Sequence, residues 1–350
     1  MADESDISDD ASGWDAIDAA LEPIYGDREP YHVGTVLPYA LGGRDPIHGI
    51  SAYKNAEPVP HWHFVTYGLS ELWAKESTDP DVSGYGFELT FRPTCKAKDK
   101  KPPNWALNFL QNLGRYVFET GNIFGVGHTL PLNGPIEQGS STLIQVVSFC
   151  HDPQLPPIAT PNGSVEFLQI VGLTLDEMEA ISSWDAEAFL ELRSRDDAYL
   201  LTDLTRESWL ADPQFAGKVN RRSKKDGSSC DWMSLVLECD TKSSPVRVRL
   251  QTIAAVGLRQ RLLNRLPYGR TFTLNGKNAT VVFKPGKQSR MKLVEDAITI
   301  TLREDHLVSL AKSLQPHVGI YPIPGLKNVV LEVVRTEIKD KDGNVVEIVE

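Results

Sequence analysis

The sequence predicts two α+β domains, each an antiparallel or mixed sheet with flanking helices, and three observations carry that expectation. Segments of strand period occur in both halves, around His61–Tyr67 and Phe87–Phe91 in the first and around Phe272–Leu274 and Val281–Phe283 in the second. Helical stretches are few and do not alternate regularly with strands, as a doubly wound parallel sheet would require. Residues 212–230 lose apolar pattern and gain Lys218, Arg221, Arg222, Lys224 and Lys225, so they read as a polar linker with hinge character. The expected organisation is an acidic disordered tail over 1–12, an N-terminal domain over 13–211, the linker, and a C-terminal domain over 231–350.

The tail is mostly Asp and Ser and buries too little to offset its ordering entropy. Trp14, Ile17, Leu21 and Ile24 then form a helical stripe that ends where Gly26 can take a left-handed cap. His61–Tyr67 and Phe87–Phe91 alternate with period two, and the Asp79-Pro80-Asp81 and Gly84 turn chemistry between them makes the two strands antiparallel neighbours. Trp105, Phe109, Leu110, Leu113 and Val117 return to helical spacing, with Asn104 as N-cap. Val165–Val171 reads as a buried strand, Thr174 with Glu177 as a capping box, and Phe189, Leu190 and Leu192 as a helix. Further on come a strand at Val246–Leu250, a hairpin at Asn275-Gly276, a strand at Ile298–Leu302, a helix through Leu307–Leu314 and a last strand at Val329–Val334.

Composition excludes several function classes. The 350 residues carry 36 Lys and Arg against 47 Asp and Glu, a net charge of −11 that argues against phosphate-backbone binding. No stretch approaches the ~20 apolar residues of a membrane span, and the acidic N-terminus is unlike a signal peptide. A cytoplasmic protein with no nucleic-acid or membrane partner is expected. Cys95, Cys150, Cys230 and Cys239 match neither a disulfide framework nor metal knuckles and read as free thiols.

His61 and His63 project to one face of their strand and, with Glu88 on the neighbouring strand, offer a metal site for a hydrolase; hydrogen-bonded core histidines are the competing reading. No G-x-S-x-G supplies a nucleophile, and the glycines of 121–127 lack phosphate-loop spacing. The basic run of 218–225 has no interleaved aromatics and reads as solvated. No catalytic residue, metal or cofactor is assigned. Tyr116 stands out because it flanks the apolar stripe of its helix instead of centring it.

Pro60-His61-Trp62-His63, Tyr67-Gly68-Leu69-Ser70-Glu71-Leu72, and Gly84 through Arg92 form an ordered series of motifs. It continues through Leu113-Gly114-Arg115-Tyr116-Val117-Phe118, Asp152-Pro153-Gln154, Thr160-Pro161-Asn162-Gly163 and Leu201-Thr202-Asp203. Over roughly residues 30 to 205 this resembles the Suppressor of fused family, and the Leu262-Leu263 and Tyr268–Phe272 regions resemble its second domain. The short C-terminal region is similar to bacterial members.

The resemblance implies a non-enzymatic, protein-binding negative regulator. In animals the family holds Gli-type transcription factors by clamping an extended peptide between two domains, strand beside strand. Tyr116 matches a tyrosine lining that peptide site. Two acidic positions that hold a histidine of the Gli peptide correspond to His128 and His151 here, and imidazole cannot replace carboxylate as the partner of a basic side chain. The expected partner-binding residues are therefore Tyr116, His128 and His151, with altered specificity. A bacterial immunity protein that neutralises a toxin, and the metal-dependent hydrolase using His61 and His63, are the alternatives.

Overall fold

The computed structural model describes residues 11–37, 39–294, 297–339 and 345–349. The expected disordered tail lies outside the described residues up to Asp10, and Ser12 already belongs to the first helix, α1 (Ser12–Tyr25). By contacts, one compact unit runs to Met178 and includes Ala186–Ala211; the other takes Glu179–Asp185 and the chain from Asp212 on.

The first unit is built on a sheet of β1 (Tyr31–Gly34), β2 (Gly49–Asn55), β3 (His61–Tyr67), β4 (Val82–Phe91), β5 (Thr129–Pro131), β6 (Val146–His151), β7 (Ile158–Thr160) and β8 (Gly163–Leu173). Their order is β1-β2-β3-β4-β8-β6-β5, with β7 beside β8, so β1 and β5 are the terminal strands. β4 and β8 run parallel, while β3 and β4 pair antiparallel as their intervening turn predicts.

Helices cover both faces, which is why all seven residues of β3 are buried. On one face Ile17, Leu21 and Tyr25 of α1 pack on Val65, Tyr67 and Phe167. On the other, α2 (Asn104–Thr120) lays Phe109, Leu110, Leu113 and Val117 on Phe64, Phe91, Phe149 and Ile170. Pro103, not Asn104, occupies the N-cap of α2: the Asn104 side chain makes no capping bond and its residue is already helical. At the other end Gly121 takes the left-handed cap, its N–H donating to Val117 O at 2.8 Å.

The short helices α3 (Leu175–Ser182) and α4 (Ala186–Ser194) follow the sheet. Half of the Thr174–Glu177 capping box forms, with Glu177 Oε2 accepting from Thr174 N–H at 2.9 Å, while the Thr174 hydroxyl donates to Asp176 Oδ1. Glu177 also receives both terminal nitrogens of Arg206 and the Trp209 N–H, and the Arg206 guanidinium stacks 3.9 Å from the Trp209 ring centroid.

The expected linker is instead largely α5 (Pro213–Asp226). Asp212 caps it by accepting from Gln214 N–H at 2.8 Å, Pro213 sits at the first turn, and Gly227 closes it at φ +68°. Its only buried residues are Phe215 and Val219, one turn apart, so the apolar pattern is too sparse to read against the exposed cations of 218–225. The rest of the second unit comprises β9 (Trp232–Ser234), β10 (Leu237–Asp240), β11 (Val246–Gln251), α6 (Thr252–Arg265), β12 (Phe272–Asn275), β13 (Thr280–Pro285), β14 (Arg290–Val294), β15 (Ala297–Leu302), α7 (Glu304–Ser313), β16 (Gly319–Pro322), β17 (Val329–Val334), β18 (Thr336–Lys339) and β19 (Val345–Val349). Mixed sheets β10-β11-β17-β16 and β14-β15-β13-β12-β9 share one core around Val248, Leu258, Phe272, Ile300 and Leu331. The β12–β13 hairpin has the predicted strands, but Asn275 registers with Thr280 and Gly276 N–H donates to Ala279 O, so the loop is longer than a two-residue Asn-Gly turn. Trp184 is buried in this unit, its indole N–H donating to Asp226 Oδ2 at 3.2 Å.

If Asp212 anchors α5, Asp212→Ala should cost about 1 kcal/mol. Urea unfolding followed by far-ultraviolet circular dichroism measures it, and no loss would mean the cap is idle.

Candidate functional site

β4, β6 and β8 converge on a buried polar cluster. Alternation along β4 puts Thr90 and Arg92 on the face opposite Leu89 and Phe91, and the antiparallel register with β3 brings Arg92, not Glu88, beside His63. Both Arg92 and His63 are fully buried. Asp152, the residue after β6, meets Arg92 in a two-point pair: Nη1 bonds Oδ2, and Nη2 bonds Oδ1 at 3.0 Å. Arg92 further donates to Gln169 and to Gln154 Oε1, and its guanidinium lies 5.8 Å from the Tyr199 ring centroid.

The Asp152 carboxylate also accepts from Thr90 Oγ1 at 2.6 Å and from the Gln154 and Leu155 N–H groups at 2.8 and 3.1 Å, which closes the Asp-Pro-Gln turn. His63 Nε2 lies 3.3 Å from Asp152 Oδ2, and the Tyr25 hydroxyl lies 2.6 Å from its Nδ1. A neutral imidazole with its proton on Nε2 accepts from the Tyr25 hydroxyl at Nδ1, while Nε2 lies beside Asp152 without forming a hydrogen bond. Burial, then the Arg92 charge, pulls His63 down to about 4 against the opposing Asp152. Burial alone would raise the Asp152 carboxyl, but His63 and Arg92 outweigh it and hold it well below the carboxylate range.

This arrangement corrects the metal-dependent hydrolase reading. His61 engages Val59 O at 2.8 Å through Nδ1. Glu88 turns to the 66–70 segment: Oε1 accepts from the N–H groups of Gly68, Leu69 and Ser70 and from Ser70 Oγ, and Oε2 from Thr66 Oγ1. Burial nonetheless lifts its carboxyl to about 7. His61, His63 and Glu88 thus have separate partners, and among the described residues no group of three His, Cys, Asp or Glu side chains is placed to hold a metal. All four cysteines are free. Burial pushes the Cys150 thiol up to about 12, far from a reactive thiolate.

The three expected partner-binding residues gather at the β5 end of the sheet. Tyr116, half-buried on α2, stacks on Phe124 at 5.6 Å between centroids, and Phe124 stacks on Phe149 of β6 at 4.3 Å. Asn122 donates to the Tyr116 hydroxyl at 3.2 Å. Gly127 N–H donates to Phe149 O at 2.9 Å and Phe149 N–H to His128 O at 3.1 Å, so two residues oppose one in a bulge-like entry to β5. Gly127 needs this turn, at φ +80°. His128 is exposed, its ring lying over Gly125, and His151 is exposed at the end of β6, two residues beyond Phe149 and one before Asp152. Sequence reasoning missed the Arg92–Asp152–His63 network; the Asp-Pro-Gln turn signal and the placement of Arg92 on the polar side of its strand were the legible traces.

The family model of the Suppressor of fused protein matches residues 43–207. The human and mouse Suppressor of fused homologs are 34% identical over 250 residues, covering 67% of this chain and 51% of theirs. A chain of the Sufu-Fu complex crystal structure is 33% identical, covers 60% of this chain with 98% of its own length, and superposes with a TM-score of 0.56. The chain belongs to the Suppressor of fused family. Drosophila Suppressor of Fused shares the fold over 93% of this chain and 97% of its own, with a TM-score of 0.78 at 23% identity. This chain spans about half the length of the human and mouse relatives it matches. The Suppressor of fused match falls on the region that carries the ordered motifs, and the fold match extends into the second unit.

Two outcomes are expected from the buried cluster. Asp152→Ala leaves Arg92 charged without its partner and should cost about 3–5 kcal/mol in urea unfolding. The His63 contribution is governed by linkage: its folded pKa lies below the unfolded 6.5, so stability is present above about pH 6.5 and is lost as pH falls toward 4. Glu88 has the opposite sign over pH 4.5–7, so the comparison must be between variants. The stability gap between wild type and His63→Gln should shrink by about 2 kcal/mol from pH 7 to pH 4.5; a constant gap would refute a neutral buried His63.

Proposed function

We propose that this protein is a non-enzymatic regulator that binds an extended segment of another protein along β5, with Tyr116, His128 and His151 contacting the bound chain. The observation that carries the reading is the joining of an aromatic stack to a terminal strand. Tyr116, Phe124 and Phe149 form a rigid platform, and two exposed imidazoles flank the margin where β5 ends the sheet. A terminal strand supplies backbone affinity, and adjacent side chains supply selectivity.

Family membership supports the same reading, as does the relative whose structure is that of a Sufu-Fu complex. Imidazoles in place of carboxylates favour a segment that offers an acid or another acceptor. The four free cysteines suit a reducing cytoplasm.

The test is purification of partners from the native cell on wild-type and variant chains, followed by titration of the recovered partner. His128→Ala with His151→Ala is expected to weaken it by about tenfold, and Tyr116→Ala by about 2 kcal/mol or more. Unchanged affinity in folded variants removes these residues from the interface, and turnover of a substrate by the wild-type protein would overturn the non-enzymatic reading.

A further inference from the structure

β1 ends the same sheet at the margin opposite β5, and all four of its residues are exposed. The pairing of Val33 with Ile50 and of Gly34 with Gly49, together with the Thr35 N–H to His48 O bond of 2.9 Å, turns the backbone groups of Val33 toward β2. Those of His32 and Gly34 therefore point to the open side, the geometry that accepts an added strand.

A cleft flanks this margin on each face of the sheet. On the His32 and Ser51 face, a cleft of about 380 Å³ is walled by Trp14 and Tyr53 and rimmed by Asp18, Glu22 and Glu29. Asp18 accepts from the Tyr67 hydroxyl at 2.8 Å, and Arg28, which also lines this cleft, is held over the Tyr25 ring and donates to Asn55 Oδ1 at 2.9 Å. Burial, together with the charges of Asp18 and Glu29, pushes the Tyr53 phenol up to about 12. On the other face, where Val33 opposes Ile50, a cleft of about 510 Å³ has Val33, Val36, Leu37, Ile50 and Leu107 in its lining. Val36, Leu37 and the nearby Leu41 are exposed apolar side chains.

We propose that β1 is a second docking strand, separate from the β5 margin, for an extended segment of a partner protein in which lysine or arginine alternates with aliphatic residues. Side chains of an added strand point alternately to the two faces. One set then lies over acids and aromatic rings, which favour a cation, and the other over aliphatic surface. A second copy of this chain is disfavoured as occupant, because pairing β1 with β1 sets like acids against each other in a protein of net charge −11.

The test uses the full chain and capped synthetic peptides: alternating valine and lysine, alternating valine and glutamate, and a lysine peptide of the first composition interrupted by proline. The first is expected to bind saturably, and the other two at least about tenfold more weakly. Gly34→Pro blocks an outward N–H without touching the β1–β2 ladder, and an added Cβ there meets no atom nearer than 3.9 Å. It is expected to weaken the lysine peptide to the same degree with an unchanged melting temperature, while Glu22→Lys with Glu29→Lys reverses the charge preference. His128→Ala with His151→Ala should leave peptide affinity intact, which separates this strand from the β5 margin. The proposal is overturned if wild type does not prefer lysine, if Gly34→Pro binds equally well, or if the His128 and His151 variant loses the peptide. A dimer that Gly34→Pro dissolves would make a second copy the occupant and overturn it as well.

Discussion

The pairing of Arg92 with Asp152 is the constraint on which the first unit depends. A guanidinium with no exposed surface is tolerated because a carboxylate meets it at two points and Gln169, Gln154 and the Tyr199 ring surround it, although its Nε–H finds no acceptor among the described residues. The pair ties three parts of the fold together: the end of β4, the middle of β8 through Gln169, and the turn that leaves β6. Since Asp152 directly follows His151, the same interaction fixes where the exposed imidazole at the rim is presented.

A second support reaches the rim from the apolar side. Packing of α2 on the sheet holds Tyr116 in register with Phe124 and Phe149, and the backbone bonds of Phe149 set the turn that carries His128. Rigid aromatic anchors lose little side-chain entropy on contact, which suits them to recognition. The exposed residues are thus borne by buried structure that is polar beneath His151 and apolar beneath His128. Glu88 plays a parallel part within β4, gathering the amides of residues 68–70 around one carboxylate.

Much of this architecture was legible in the chain. Period-two alternation located β3 and the end of β4, and helical spacing located α1, α2, α4 and α7, because each buries a one-sided apolar pattern. Where that pattern thins, reading failed. α5 rests on Phe215 and Val219 alone, although its Asp212-Pro213 start and Gly227 stop were visible. α6 went unread even though Ala255, Leu258 and Leu262 form its buried stripe. The capping box at Thr174 holds only on its Glu177 side, and Glu177 also serves Arg206 and Trp209, 29 and 32 residues away.

By itself the sequence determined the α+β class, most elements of the first unit and the family, since these rest on local periodicity, turn chemistry and ordered motifs. Tertiary structure decided the partners: that His63 faces Asp152 and Tyr25, that Glu88 serves backbone amides, and that β1 and β5 are left at the margins of the sheet. The reason is physical. Which strands become neighbours, and which charges must neutralise one another once water is excluded, follows from long-range packing, and spacing along the chain does not encode it.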